Sequence, residues 1–217
     1  ILVQQKDYAG ALDVLQKAAV QDLRNPLAYI ELAELCLGFN QAEAKVKDTA
    51  RELAKTLLVK AGDLQPNNPL TLQRLADGYM YVGLSDKASA VYVQLVERFP
   101  QLPGVRERLI DIYLSQEDKD KAWAQLESIL KDIPTNLRAH YLMGSLAYDA
   151  NDMAAARDHF KKVLILNPDF EQAYYDLAGT HINLAERNSD EAEGAKEARQ
   201  ALEVLERARS KFKERFI

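Results

Sequence analysis

Four prolines at a constant step constrain this chain more than any other feature. Pro66 lies in "LQPNNPL", and Pro100, Pro134 and Pro168 follow it at intervals of 34 residues. Proline cannot continue a helix, and with Asn it favours turns, so the series marks recurring stops. Other positions keep the same step. Ala54, Ala88, Ala122 and Ala156 form one set, Leu58, Tyr92, Leu126 and Phe160 a second, and Ala61, Leu95, Ile129 and Val163 a third. In the other half of each unit, Leu75, Leu109, Met143 and Leu177 recur, as do Tyr79, Tyr113, Ala147 and His181. Small residues recur in the first set and large apolar ones in the second. Such self-similarity belongs to chains whose units cannot bury an apolar face alone and build one core by stacking.

Each unit divides into two helical patterns. "PLTLQRLADGYMYVG" places Leu72, Leu75, Ala76 and Tyr79 at the three–four spacing of an amphipathic helix, and "SDKASAVYVQLVERF" does the same with Ala88, Val91, Tyr92, Leu95 and Phe99. Between them, Gly83 reads as a helix stop and Ser85 or Asp86 as the cap of the next helix. Apolar residues recur at helical spacing and not in alternation, so no strand is expected.

A helix–turn–helix of this period resembles the tetratricopeptide repeat. "AYYDLAG" (Tyr174, Leu177, Ala178) and "LQRLADGYMYVG" (Leu72, Leu75, Ala76, Tyr79, Gly83) carry the first-helix pattern, and "AARDHFKKVLILNP" (Ala156, Phe160, Val163, Pro168) the second. The resemblance covers nearly the whole chain. It implies an all-α fold: a right-handed superhelical solenoid of stacked antiparallel helical hairpins, with about five full repeats after a partial one. The expected division is one domain over 1–217, with a partial repeat at 1–25 and repeats near 26–66, 67–100, 101–134, 135–168 and 169–212.

Two repeats depart from the period. In the repeat opening at "PLAYIELAEL", Ala54 arrives nine residues late; in the one opening at "EQAYYDLAG", Ala201 arrives eleven residues late. The extra residues, "NQAEAKVKD" and "ERNSDEAEGAKEA", are rich in the helix formers Ala, Glu and Lys, which predicts lengthened helices and not loose loops. "KDYAGALDVLQKA" reads as a second helix whose partner lies mostly upstream. With no initiator Met, and no clear polar capping helix after "ERARSKFKERFI", the chain reads as a piece of a longer protein.

The resemblance also implies a concave wall formed by first helices, and it nominates the residues left over from core duty. These are Ile30, Glu34 and Leu37; Gln73, Asp77, Met80 and Tyr81; Glu107, Asp111 and Leu114; Tyr141, Ser145 and Tyr148; and Tyr175, Gly179 and Ile182. The early slots hold four carboxylates, Glu34, Asp77, Glu107 and Asp111, whereas the later ones are aromatic and nearly uncharged. Family members that clamp a C-terminal carboxylate use Lys, Arg and Asn on these slots, and none stands here. The implied function is a non-catalytic interaction scaffold or adaptor. Its partner would be a peptide, helix or protein domain with basic residues at one end and apolar anchors at the other. The alternatives are an assembly module that self-associates through its solenoid ends, or a helical accessory domain of a larger enzyme or envelope complex.

Composition narrows the remaining classes. Net charge is −5, and residues 135–217 carry 12 Lys and Arg against 14 Asp and Glu, so no basic domain points to nucleic acid. No apolar run is long enough for a membrane span, and the compartment, cytoplasmic or periplasmic, stays open. Cys36, the single cysteine, sits in the apolar "ELAELCLGF" and reads as core. His140, His159 and His181 form neither HxxxH nor HExxH, and no Gly-rich phosphate loop occurs. No catalytic residue, metal or cofactor is therefore expected. The acids of "SQEDKDKA" fall at a helix start, where they favour the helix dipole.

Overall fold

In the computed structural model, residues 7–213 are described, apart from Asn40 and Pro103. They form eleven α-helices, with no strand among them. The helices are α1 (Tyr8–Ala19), α2 (Pro26–Leu37), α3 (Ala44–Asp63), α4 (Pro69–Tyr81), α5 (Ser85–Arg98), α6 (Val105–Ser115), α7 (Lys119–Asp132), α8 (Leu137–Asp149), α9 (Met153–Leu166), α10 (Glu171–Arg187) and α11 (Glu191–Lys211). The expected upstream partner of α1 and the end of the C-terminal tail lie outside the described residues. The chain divides into two compact units, Ile1–Ile112 and Tyr113–Ile217.

In the first unit, α2 packs on α3 and α4 on α5 as hairpins, and α1 lies against α2 and α3. The alanine slots Ala54, Ala61 and Ala88 are fully buried, which lets the helices approach closely, while Leu58, Tyr92 and Leu95 fill the space between them. Tyr79 closes this core by donating its hydroxyl to the Leu58 carbonyl at 3.1 Å. Cys36 is buried, and burial pushes its thiol up to about 11, so it behaves as a small apolar residue. The late arrival of Ala54 is absorbed by α3, which runs for 20 residues against 14 in α5.

In the second unit, α8–α9 and α10–α11 are the hairpins, α10 packs on both α8 and α9, and α7 lies on α8. Its core gathers Ala156, Phe160, Val163, Tyr174, Leu177 and Ala208. Gly144 permits one close approach: a Cβ there would stand 2.7 Å from Phe160 Cε1. The second late repeat is likewise helical, with α10 extended to 17 residues and α11 to 21.

The helix ends follow the period. The second helices stop two or three residues before Pro66, Pro100, Pro134 and Pro168. Asn68 and Asn136 cap the following first helices, accepting from Leu70 N and Ala139 N. The inner turns keep step as well. Gly83, Glu117 and Asn151, each 34 residues from the next, all take positive φ (83°, 58° and 68°). In each turn the following amide donates back to a carbonyl five residues earlier: Leu84 to Tyr79, Asp118 to Tyr113 and Asp152 to Ala147. This is the Schellman closure of a helix C-terminus.

One expectation fails at the first of these turns. Neither Ser85 nor Asp86 caps α5, because the turn consumes only Gly83 and Leu84 and the helix opens at once at Ser85. Leu84 therefore holds the cap position that Asp118 and Asp152 occupy one and two periods on, where they accept from Lys121 N and Ala155 N. The acids of "SQEDKDKA" do serve a helix start: Asp118 caps α7.

Candidate functional site

Five nominated positions come together on the second unit. Tyr141, Ser145 and Tyr148 from α8, with Tyr175 and Gly179 from α10, line a cleft of about 270 Å³, joined by Asp149, Asp176 and Phe160. The register explains the meeting. Positions 141, 145 and 148 share one face of α8, as 175, 179 and 182 share one face of α10, and the two helices are in contact. Phe160 is almost fully buried. Its ring stands 6.0 Å from that of Tyr141, which in turn stands 4.8 Å from Phe170. Exposed Ile182 continues the α10 face beyond the cleft.

The polar groups around the cleft are specifically arranged. Asn183 Nδ2 donates to the Tyr148 hydroxyl at 2.8 Å and to the Gly179 carbonyl at 3.0 Å, which fixes the Tyr148 ring against α10. Burial raises the Tyr141 phenol above its ordinary pKa, and Asp176 adds to the effect by charge and by hydrogen bonding. Asp176 also accepts from Gln172 Nε2 at 2.9 Å. The Tyr175 hydroxyl donates to Glu171 at 3.4 Å, and Asp149 pairs with Lys119 at 2.8 Å. Gly179 keeps the α10 wall low, since the nearest atom to a Cβ there would be the Tyr148 oxygen, 3.8 Å away.

The slots of the first unit present a different chemistry. Glu34 receives a two-pronged contact from Arg74, with Nε at 2.9 Å and Nη2 at 2.5 Å from its oxygens. Glu31 adds a longer contact to the same guanidinium. Asp77 accepts a short hydrogen bond from Tyr92. Gln73 is half-buried, and Glu107 lies in the first turn of α6. Asp111 is exposed but takes part in an interaction of its own. Tyr81 is exposed and faces a small cleft with Cys36, Leu37, Phe39 and Arg51, where Arg51 Nη2 donates to its carbonyl at 3.0 Å. Two of the four nominated carboxylates, Glu34 and Asp77, thus have partners inside the unit. Ile30 is corrected: α2 is covered by α1, α3 and α4, and its Ile30 side chain is wholly buried.

The histidines hold an arrangement that spacing did not disclose. His140 and His159, on α8 and α9, face each other with Nδ1 atoms 3.0 Å apart, and His140 Nε2 lies 3.0 Å from the Pro134 carbonyl. A carbonyl only accepts, so His140 carries its hydrogen on Nε2 and receives the Nδ1–H of His159. Trp123 meets the His159 ring edge-on at 6.1 Å. Burial, with His140 alongside, holds the His159 imidazole below its ordinary pKa. His181, in a slot that elsewhere holds Tyr, is 1% exposed and contacts Glu197 at 2.5 Å. Glu197 belongs to the extension of α11 and also faces Arg157 at 3.6 Å. Among the described residues, no group of three or more His, Cys, Asp or Glu side chains is placed to hold a metal ion. No helix among them is long and apolar enough to cross a membrane.

Residues 108–169 match the tetratricopeptide repeat family. Solved structures repeat the fold. A crystal structure of MamA superposes with a TM-score of 0.62 at 18% identity, over 87% of this chain and 92% of that one. MamA from Desulfovibrio magneticus RS-1, residue 41 to the end, gives 0.53 at 20% identity, over 83% and 95%. YrrB, described as a tetratricopeptide-repeat protein with an unusual peptide-binding site, gives 0.58 at 18% identity, over 90% and 91%. At these identities the likeness is one of fold. No curated protein gives a significant match to the chain.

Proposed function

We propose that this chain is a non-catalytic scaffold that holds a protein or peptide partner in the α8–α10 cleft of its second unit. The observation that carries the reading is the convergence of Tyr141, Tyr148 and Tyr175 above Phe160, with Gly179 leaving space between them. Tyrosine combines a large apolar face with a polar tip and loses little conformational freedom on contact, which suits it to anchor an interface. The peptide-binding site of YrrB, on the same fold, supports a peptide as occupant. Glu34 and Asp77 have partners within the first unit, and Tyr81, Gln73, Glu107 and Asp111 are secondary candidates.

Selection of displayed peptides against the folded chain tests this. Gly179→Leu fills the cleft from the α10 wall and is expected to keep the helical content, checked by far-ultraviolet circular dichroism. Peptides selected on the parent are expected to lose about tenfold or more in affinity for this variant, as when a central anchor pocket is blocked. Equal binding to both proteins would place the binding surface elsewhere.

A further inference from the structure

We propose that the α8–α10 cleft accepts a cationic side chain, Lys or Arg, presented by the partner polypeptide; this rests on the docking role proposed above. The first ground is charge. The ionised groups among the lining residues are Asp149 and Asp176, and no lining residue is Lys or Arg. Glu171 stands behind Tyr175, within 3.4 Å of its hydroxyl. Lys119 reaches Asp149 from α7. An anionic side chain would meet carboxylates and the negative faces of aromatic rings, with no cation of the lining to receive it.

The second ground is the kind of surface. Tyr141, Tyr148, Tyr175 and Phe160 present aromatic rings, whose faces attract an ammonium or guanidinium while packing against its aliphatic stem. A purely apolar occupant would use the rings but would desolvate Asp176 without compensation. Asp176 retains acceptor capacity, because a carboxylate offers about four lone-pair sites. Its bonds from Gln172 and Tyr141 leave room for a further donor. The third ground is size. A cleft of about 270 Å³ suits one long side chain and not a whole helix. The cleft is thus opposite in sign to a carboxylate clamp: acid and aromatic walls receive a basic residue.

The probes are blocked pentapeptides, Ac-Ala-Ala-X-Ala-Ala-NH2, in which X is Arg, Lys, norleucine or Glu. They are titrated into the ¹⁵N-labelled full chain at low and high salt. Arg and Lys peptides are expected to shift the Ser145, Tyr148 and Gly179 amides and to bind about fivefold or more tightly than norleucine, the scale of a half-exposed cation–aromatic contact. The preference should shrink at high salt and in Asp176→Asn, which keeps the side chain's shape. If norleucine or Glu binds as well as Arg, or Asp176→Asn leaves the preference intact, the cation assignment is overturned. If no probe moves these amides while selected peptides still lose affinity in Gly179→Leu, the assignment fails and the docking role survives. Loss of neither would overturn both.

Discussion

Asp77 and Tyr92 in the first unit form a closed pair. Two periods on, the same slots hold Ser145 and Phe160, and the result is a cleft in place of a closed pair. Tyr92 is fully buried and donates its hydroxyl to Asp77, so the slot on α4 is tied to α5. Phe160 has no hydroxyl to give, and Ser145 turns back to bond its own helix at the Tyr141 carbonyl at 3.1 Å. The rings above Phe160 are then left standing around a space. The same two slots thus hold a hydrogen-bonded pair in the first unit and, in the second, a serine bonded to its own helix beside a ring with no hydroxyl.

The comparison breaks most severely at its floor. Phe160→Ala removes a buried ring from beneath Tyr141 and is expected to cost about 3–5 kcal/mol in urea unfolding, the range for aromatic truncation in a core. A loss below about 1 kcal/mol would mean that Phe160 does not support the cleft. Next in size, Tyr92→Phe deletes only the hydroxyl that seals the first unit. The expected cost is about 1–2 kcal/mol, modest because the Asp77 carboxylate can turn to water. Combining Ser145→Asp with Phe160→Tyr should import that seal and abolish peptide binding while the helical content stays. A double variant that still binds would show that this hydrogen-bonded pair does not decide the difference.

A smaller change with the opposite sign tests the turns. Leu84→Asp gives α5 the side-chain cap that α7 and α9 already have, and should raise stability by about 1 kcal/mol, read as a higher melting temperature. The gentlest effect is a tilt with pH, confined to the second unit because all three histidines lie there. The folded pKa of His159 is depressed, so the unfolded chain binds protons more readily. The stabilisation is complete above the ordinary imidazole pKa and fades as pH falls through it. Unfolding followed by Trp123 fluorescence should therefore become easier between neutral and mildly acid pH. The trend should flatten in His159→Gln, and an unchanged slope would exclude His159 as its source.

Much of the fold is legible along the chain because the determining contacts recur at one spacing. The alanine slots, the large apolar slots and the proline stops each repeat often enough to fix a register, and all three kinds sit where that register places them. The lengthening of α3, α10 and α11 at the two insertions was also readable, from composition alone. Tyr141, Tyr148 and Tyr175 could be nominated because their helix faces follow from the same register.

The partners of polar side chains were not legible. Glu34 and Arg74 are 40 residues apart, His140 and His159 are 19 apart, and neither separation belongs to the repeat. Whether such groups meet depends on how neighbouring helices are rotated and which rotamers the packing permits. Leu84 escaped notice for a related reason: the cap position is set by where the preceding turn closes, not by the nearest Ser or Asp.

By itself, then, the sequence determined the helical hairpins, their order and the faces they turn to the core, since burial of apolar surface follows periodicity. The tertiary structure decided which leftover side chains neutralise each other and which surround an open space. Those outcomes rest on distances of a few ångströms between different helices, where one hydroxyl, one arginine or one missing Cβ changes which groups are paired and where space is left.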